Sequence, residues 1–488
     1  MKVVIVGGGT SSWMSAAALA KSFPDWDITV IKGGDPIGVG ESTTPHINQY
    51  LKYMGIDDKT FLTEARATYK STSRFVDFCE EGQVFHYPNG QTVNVSLTET
   101  DFQEWMVAKA YGQEVPPFAD VFMPFVTVAE EGKMPLDHPD LTPYSLEKDR
   151  SFHMDGEAFS TYLQRTFCEN VKVIDSGVKS VSYDDKGVSF VTVEKGHYDL
   201  RAPKIEADLF IDCTGQRSVL GGAQSSWVEF DTILTDTAIV RKREYIDRDK
   251  EMVPYTNAQA MSAGWQWTIP TWDYISEGYV YSSKHQTEEE ARKEFGDGKL
   301  IKFRNGRYDE AWVGNCVKIG LSYGFIEPLE STSLFNTHHG ILALIDTLVE
   351  EPGINQFARD RFNHNLREHM DGWREFVEAH YYYSRRNDTP FWRDVTSLTM
   401  PLKPPNMHDY VSYHMIGGDP VGHEAQPILY ILAGSGYTTA SKRRYQYFNA
   451  PMVPQVRINV MNEGYKKRKE LASVLPTMYK YLKETVFS

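Results

Sequence analysis

Cysteine is scarce in this chain: Cys79, Cys168, Cys213 and Cys316 are the only four in 488 residues, far apart and with no C-x-x-C pair. That fits a reducing compartment and excludes a cysteine-based zinc site, and no metal site of another kind is predicted. Positive charge is short as well. Lys and Arg number 51 against 66 Asp and Glu, a net charge of −15 with no basic stripe, which argues against nucleic acid and against an anionic membrane surface as partners. No apolar run reaches the ~18 residues that a membrane helix needs. The chain also lacks repeats, low-complexity segments and any Pro/Gly/Ser-rich linker, so one multi-lobed unit acting on a small molecule is expected over 1–488, with homo-oligomerisation left open. Its start imitates a signal peptide, with Lys2, an apolar stretch and small residues over Ala16 to Ala20, but Gly7, Gly8 and Gly9 interrupt the apolar region. A cytoplasmic protein is the expectation.

The most informative stretch is Met1 to Ala20. Val3, Val4, Ile5 and Val6 form a β-branched run suited to a strand buried on both faces. Gly7, Gly8 and Gly9 then allow a sharp turn, and Ser15 to Ala20 supply a small-residue helix that can pack closely on a sheet. Free N–H groups and the positive end of the helix dipole at such a turn suit a pyrophosphate. The string reads G-x-G-x-x-S because Ser12 replaces a third glycine, and a second apolar run, Ile28 to Ile31, follows where the next parallel strand of a βαβ unit belongs. Dinucleotide binding is predicted. After that second strand, where an acid usually bonds the adenosine ribose, stands Lys32, so that either Asp35 substitutes or the ribose is held otherwise.

Further along, Pro36 to Pro45 is a glycine-rich polar loop able to wrap a cofactor around Val39. Ile47 to Tyr69 has helical spacing, and a strand is expected from Arg74 to Phe78. Phe85 to Tyr144, aromatic and punctuated by proline, reads as an insertion that could wall a cavity. A helix entry at Phe152 leads to an amphipathic helix ending at Phe167 with Asp155 as N-cap. Short strands follow at 171–174, 178–183, 188–193 and 209–211, the last ending in Asp212-Cys-Thr-Gly215, where the chain returns to its first domain. In Gly264-Trp-Gln-Trp-Thr-Ile-Pro270, a strand would put Trp265 and Trp267 on one face. Tyr279 to Ser282 reads as a strand, Glu288 to Phe295 as a helix and Val313 to Ile319 as an apolar strand. A polar turn, Glu330 to Ser333, then opens a long apolar helix reaching about Val349. Its N–H groups could hold a small anion, or Glu330 could merely favour the helix dipole. His338 and His339 are adjacent and so cannot both face one metal from a helix. They read as packing or polar residues. From Asn355 onward the pattern is mainly helical, and no chemical signature follows Asp394.

Three of these features, Gly7-Gly-Gly-Thr-Ser-Ser-Trp13, Trp265-Gln-Trp-Thr-Ile-Pro270 and Pro328-Leu-Glu-Ser-Thr332, resemble the flavin-dependent halogenases of the tryptophan-halogenase type, over Met1 to about Trp392. Flavin hydroxylases of similar fold usually carry an Asp after the glycine of the last cofactor strand, whereas this chain has Gly320-Leu321. The resemblance implies an α/β fold: an FAD-binding Rossmann-like domain of the glutathione-reductase/hydroxylase type, with an inserted substrate-side β region and a helical C-terminal region. Residues 1–70, 151–222 and 300–350 would form the FAD-binding parts, 71–150 and 223–299 the substrate-side parts, and 351–488 the mainly helical C-terminal part.

The resemblance also assigns roles. Gly7, Gly9, Thr10, Ser11, Ser12, Trp13, Val39, Glu41, Ser42, Val178, Leu321 and Leu334 are implied to contact FAD. Lys70, Glu330 and Ser331 are implied as catalytic, Thr332 and Ser333 as neighbours of the halide, and Trp265, Trp267 and Pro270 as the wall of a tunnel leading from the flavin. Reduced FAD, dioxygen and halide would yield hypohalous acid that passes to Lys70, where an indole, phenol or aniline is halogenated while Glu330 stabilises the cationic ring or takes its proton. A buried lysine amine suits that role. No second nucleotide site is apparent for NADH, so a separate flavin reductase is implied. Ser333 stands where relatives often have glycine, which leaves chloride, bromide and iodide open. Two alternatives are a flavin-dependent aromatic monooxygenase, which Trp265, Trp267 and Leu321 disfavour, and a non-catalytic flavin-binding protein, which leaves Lys70 and Glu330 without a purpose.

Overall fold

The computed structural model describes residues 1–34, 38–89, 99–194, 204–350, 355–398, 426–436 and 453–488. Asp35, with Pro36 and Ile37 of the expected cofactor loop, lies outside them, as does most of 401–461. Two units are present, each built from three separate stretches: Met1–Ala67, Met154–Asp236 and Ile301–Arg374 form the first, and Thr68–His153, Thr237–Leu300 and Glu375–Ser488 form the second.

In the first unit the β-branched run becomes the strand Lys2–Val6, central in a six-stranded sheet. Asp27–Ile31 and Leu209–Asp212 flank it in parallel register, Val4 opposite both Thr29 and Phe210. Lys172–Ile174 continues the sheet on one side and Cys316–Lys318 on the other, both in parallel. The expected strand from Val313 to Ile319 is instead a tight hairpin: Trp312–Val313 runs antiparallel to Cys316–Lys318, because Gly314 turns the chain. Against this sheet packs an antiparallel one made of Val178–Asp184, Gly187–Val193 and Lys204–Ile205. Val4, Val6, Ile31, Val188, Val191 and Phe210 share one core, which Val178 also touches.

The helix Thr10–Ser22 follows the glycine turn and buries Trp13, Met14 and Ala16 to Leu19. Helical spacing from Ile47 does not carry through to Tyr69. Gly55, left-handed at φ 73°, ends a first helix at Ile47–Met54, a second occupies Asp58–Glu64, and the chain then turns extended. Asp155 caps the helix Gly156–Phe167 as expected, its carboxylate accepting from Glu157 N at 2.9 Å and Ala158 N at 3.0 Å. Phe152, read as a helix entry, belongs to the strand Ser151–Asp155.

The second unit holds a seven-stranded sheet, of which six strands lie wholly within it, in the order Thr237–Arg243, Ile275–Tyr281, Gly264–Pro270, Tyr255–Met261, Thr72–Val76, Val84–Pro88. All neighbours pair antiparallel except Tyr255–Met261 with Thr72–Val76. The aromatic insertion is largely helical where it is described, with Phe118–Phe122 and Phe125–Glu130 burying their phenylalanines. Trp105, inside the helix Glu99–Ala110, is buried with its indole N–H on Pro116 O. At the end of the chain, the helix Met478–Thr485 leads to Phe487, which stacks on Trp272 with ring centroids 3.8 Å apart.

Candidate functional site

The glycine turn of the first unit is shaped for a ligand. Gly7 sits at φ 139°, and a Cβ there would meet Cys213 O at 2.3 Å, so the turn is pressed against the end of the neighbouring strand. Gly9, the N-cap of the helix Thr10–Ser22, makes no side-chain cap, and a Cβ on it would meet nothing within 4 Å among the described residues. Open space therefore lies over an uncapped helix N-terminus at the carboxyl ends of parallel strands, the place where a pyrophosphate is held in this kind of sheet. FAD fits this cradle.

Around the turn, Thr10 donates to Glu41 Oε1 at 3.1 Å. Glu41 lies on the short strand Gly40–Ser42 beside Val39, and burial, opposed by the Thr10 hydroxyl, pushes its carboxyl up to about 7, with the Asp155 charge adding to the rise. Ser11 Oγ lies 3.4 Å from Thr337 Oγ1, and Gly320 completes this junction, since a Cβ there would come within 2.6 Å of Ser11 Oγ. Ser12 and Trp13 are fully interior. Leu321 follows Gly320 in a short turn of 3₁₀ helix, and Leu334 is buried in the helix Thr332–Glu350. The Asp212 loop is organised by its own carboxylate, which accepts from the backbone N–H groups of Thr214, Leu220 and Gly221 and from the Thr214 hydroxyl at 2.6 Å.

The same unit carries the Glu330 turn. Glu327 N donates to Asn305 Oδ1 at 2.8 Å, Asn305 Nδ2 donates to Thr235 O at 2.6 Å, and the Thr235 hydroxyl closes the ring on the Glu327 carboxylate. That buried ring anchors the 3₁₀ turn Pro328–Glu330. Glu330 is 3% exposed, Ser331 is left-handed at φ 59°, and the helix begins at Thr332. Thr332 is fully buried, and among the described residues its hydroxyl has no hydrogen-bond partner. An unpaired buried hydroxyl beside a helix N-terminus is suited to an anion or a water. Ser333 is half-buried, its carbonyl accepting from Thr337 at 3.0 Å. His338 is interior beside Tyr50 and Phe335, and burial pushes it down to about 3, in keeping with a packing role.

Lys70, Trp265, Trp267 and Pro270 belong to the second unit. Lys70 ends the strand Thr68–Lys70 and is 1% exposed, a rare situation for a lysine. It lies opposite Ser151 in antiparallel register. The Ser151 hydroxyl donates to Lys70 O at 3.0 Å, and Asn89 Nδ2 donates to Ser151 Oγ at 2.6 Å. Trp265 and Trp267 share one face of their strand with ring centroids 6.2 Å apart, and both are buried. Trp267 lies over Gly278, where a Cβ would fall 2.1 Å from the indole, and its N–H donates to Ser276 Oγ at 3.3 Å. The Trp265 indole N–H has no partner among the described residues. Pro270 ends the strand, its carbonyl accepting the Thr68 hydroxyl at 2.5 Å. Ser151, Asn89 and Thr68, which hold the lysine and the proline, carry no signature in the sequence: Ser151 is 81 positions from its acceptor. Among the described residues no helix is long and apolar enough to cross a membrane, and no three His, Cys, Asp or Glu side chains gather as a metal site.

Known proteins resemble this chain in sequence and in structure. The tryptophan halogenase family model matches residues 2–444. Tryptophan 7-halogenase RebH of Lentzea aerocolonigenes is 31% identical over 426 residues, covering 80% of this chain and 78% of the relative. Among solved structures, VirX1 in its apo form superposes with a TM-score of 0.88 at 31% identity, covering 100% of this chain and 99% of that one. BrvH, a flavin-dependent halogenase from Brevundimonas sp. BAL3, does so with 0.84 at 28% identity, covering 99% of each chain. The chain belongs to the tryptophan halogenase family and is a flavin-dependent halogenase.

Proposed function

We propose that this enzyme halogenates an electron-rich aromatic of indole, phenol or aniline type, with Lys70 as the residue that receives hypohalous acid. The observation that carries the reading is the interior position of Lys70, on a backbone held by Ser151 and Asn89. An amine so placed is shielded from bulk water, so it can hold hypohalous acid by hydrogen bonding or form a haloamine. The ring carbon takes the halogen, and Glu330 stabilises the cationic ring or accepts its proton, releasing water in the balance.

Gly7, Gly9, Thr10 to Trp13, Val39, Glu41, Ser42, Val178, Leu321 and Leu334 are assigned to FAD. Bound reduced FAD supplies the electrons that activate dioxygen toward halide. Thr332 offers its hydroxyl, which has no partner among the described residues, and Ser333 the first-turn N–H region, to the halide. Trp265, Trp267 and Pro270 form a rigid wall that keeps the organic substrate away from the flavin. A separate reductase supplies FADH2. Four buried, unpaired cysteines suit the cytoplasmic location that we assign.

The test mixes purified protein with FAD, a flavin reductase, NADH, dioxygen and chloride, bromide or iodide in turn, and follows a panel of indoles and phenols by mass spectrometry. A halogen mass shift that depends on Lys70 supports the reading. Hydroxylated product would overturn it in favour of a monooxygenase, and absence of product from FAD-loaded protein in favour of a non-catalytic flavin binder.

A further inference from the structure

His153 is fully buried in the second unit, and none of the roles assigned above uses it. It lies opposite Thr68 in the pairing that also places Ser151 opposite Lys70. Since side chains alternate along a strand, Thr68 and Lys70 share one face, and so do His153 and Ser151. His153 Nδ1 lies 3.4 Å from Thr68 Oγ1, and Nε2 lies 2.9 Å from Thr256 Oγ1. Thr68 spends its single hydroxyl proton on Pro270 O, so its oxygen can only accept from the imidazole. The proton of a neutral His153 therefore sits on Nδ1, and Nε2 accepts from the Thr256 hydroxyl.

Burial, reinforced by the nearby Lys70 charge and opposed by a backbone hydrogen bond to Pro270, holds this imidazole well below its ordinary pKa. It is a neutral link at working pH. The chain of contacts runs from Thr256 through His153 and Thr68 to Pro270, joining four strands: Tyr255–Met261, Ser151–Asp155 with the histidine, Thr68–Lys70, which ends on the lysine, and Gly264–Pro270, which ends on the proline of the Trp-x-Trp-x-Ile-Pro segment.

We infer that His153 is a positioning residue for halogenation: it ties the Lys70 strand to Pro270 through Thr68, and so sets how much of the hypohalous acid reaches the aromatic ring rather than escaping. The inference rests on the proposed role of Lys70. The link is made by two residues that touch neither flavin nor substrate in this assignment, so its loss acts on delivery and leaves the generation of hypohalous acid in place.

The experiment compares His153→Ala, His153→Asn, Thr68→Val and Lys70→Ala in the full-length, FAD-loaded enzyme. Each is assayed with flavin reductase, NADH and bromide for ring-brominated indole and for hypobromite trapped by added taurine, with FAD affinity measured in parallel. For His153→Ala and Thr68→Val, FAD affinity and total oxidised halide stay at the wild-type level, and kcat for brominated indole falls roughly 10- to 100-fold with KM nearly unchanged. Trapped hypobromite rises correspondingly. His153→Asn, whose amide can still donate to Thr68, recovers much of the ratio of product to trapped hypobromite. The effects of His153→Ala and Thr68→Val do not add in the double variant, because both break one link. A wild-type ratio in both single variants would overturn the inference, and if His153→Ala does not fold, Thr68→Val alone decides in the same way. If Lys70→Ala keeps full product, the lysine reading itself fails. If only Lys70→Ala loses product, the lysine reading stands and the His153 link does not.

Discussion

Ser151 and Lys70 face each other across an antiparallel pair, and the serine hydroxyl donates to the lysine's own carbonyl at 3.0 Å while accepting from Asn89 at 2.6 Å. The backbone of the buried lysine is thus fixed from the neighbouring strand. Replacing Ser151 by Ala removes a buried donor and leaves the Asn89 amide only its longer contact, Lys70 O at 3.5 Å. It should cost roughly 1–3 kcal/mol. Thermal unfolding would report the loss, and turnover would fall with it. A variant as stable and as active as the parent would show that the serine does not hold Lys70.

Two glycines of the same turn should respond differently to the same change. Gly7→Ala places a Cβ 2.3 Å from Cys213 O at φ 139°, so it should destabilise the protein without cofactor by about 1–3 kcal/mol. Gly9→Ala meets nothing within 4 Å among the described residues, and its stability without cofactor should stay within about 0.5 kcal/mol of the parent. Its FAD affinity should nonetheless drop by about tenfold or more, since the methyl enters the space assigned to the cofactor. Flavin fluorescence titration checks this, and unchanged affinity in Gly9→Ala would place the cofactor elsewhere.

Thr332 tests the halide assignment. Its buried hydroxyl lacks a partner among the described residues, so Thr332→Val should leave unfolding temperature unchanged or slightly raised. The same change should raise the KM for halide several-fold with little effect on FAD affinity. Halide saturation curves for chloride, bromide and iodide would show it, whereas unaltered curves would remove Thr332 from the halide site.

Glu41 carries a pH signature. Its carboxyl is raised from 4.5 to about 7 in the folded protein, so its contribution to stability is fully present below about 4.5 and is lost as pH rises through about 7. Glu41→Gln cannot ionise. In protein without cofactor, the variant should therefore gain on the parent between about pH 4.5 and 7 and keep a constant margin above that. Parallel melting curves at about pH 5, 6, 7 and 8 give the comparison, and a margin independent of pH would mean that Glu41 titrates normally.

Much of the cofactor unit is legible from residue types alone. Val3 to Val6, the three glycines and the small residues of Thr10–Ser22 admit one local structure, and the parallel register with Asp27–Ile31 follows from it. Asp155 as a cap and Glu288–Phe295 as a helix were equally readable, because a capping carboxylate and a capping box act over three residues. The approach to Lys70 was not. Ala65 to Tyr69 continue a helical spacing, yet antiparallel pairing with Ser151–Asp155 pulls Thr68–Lys70 into a strand, a contact made across more than eighty positions. Nothing local announces that Lys70 is interior, since a lone lysine after an aromatic looks like a solvated charge. The resemblance singled it out, and the packing gives the physical reason. The hairpin at Gly314 was hidden likewise, because an apolar run reads as one strand until a left-handed glycine folds it back.

The account turns on Lys70 as the residue that delivers halogen to the ring, and a single variant tests that most directly. Lys70→Ala, loaded with FAD and supplied with reductase, NADH, dioxygen and bromide, should bind FAD as the parent does and still form hypobromite that taurine traps, while brominated indole falls below detection. Undiminished brominated product from that variant would contradict the account.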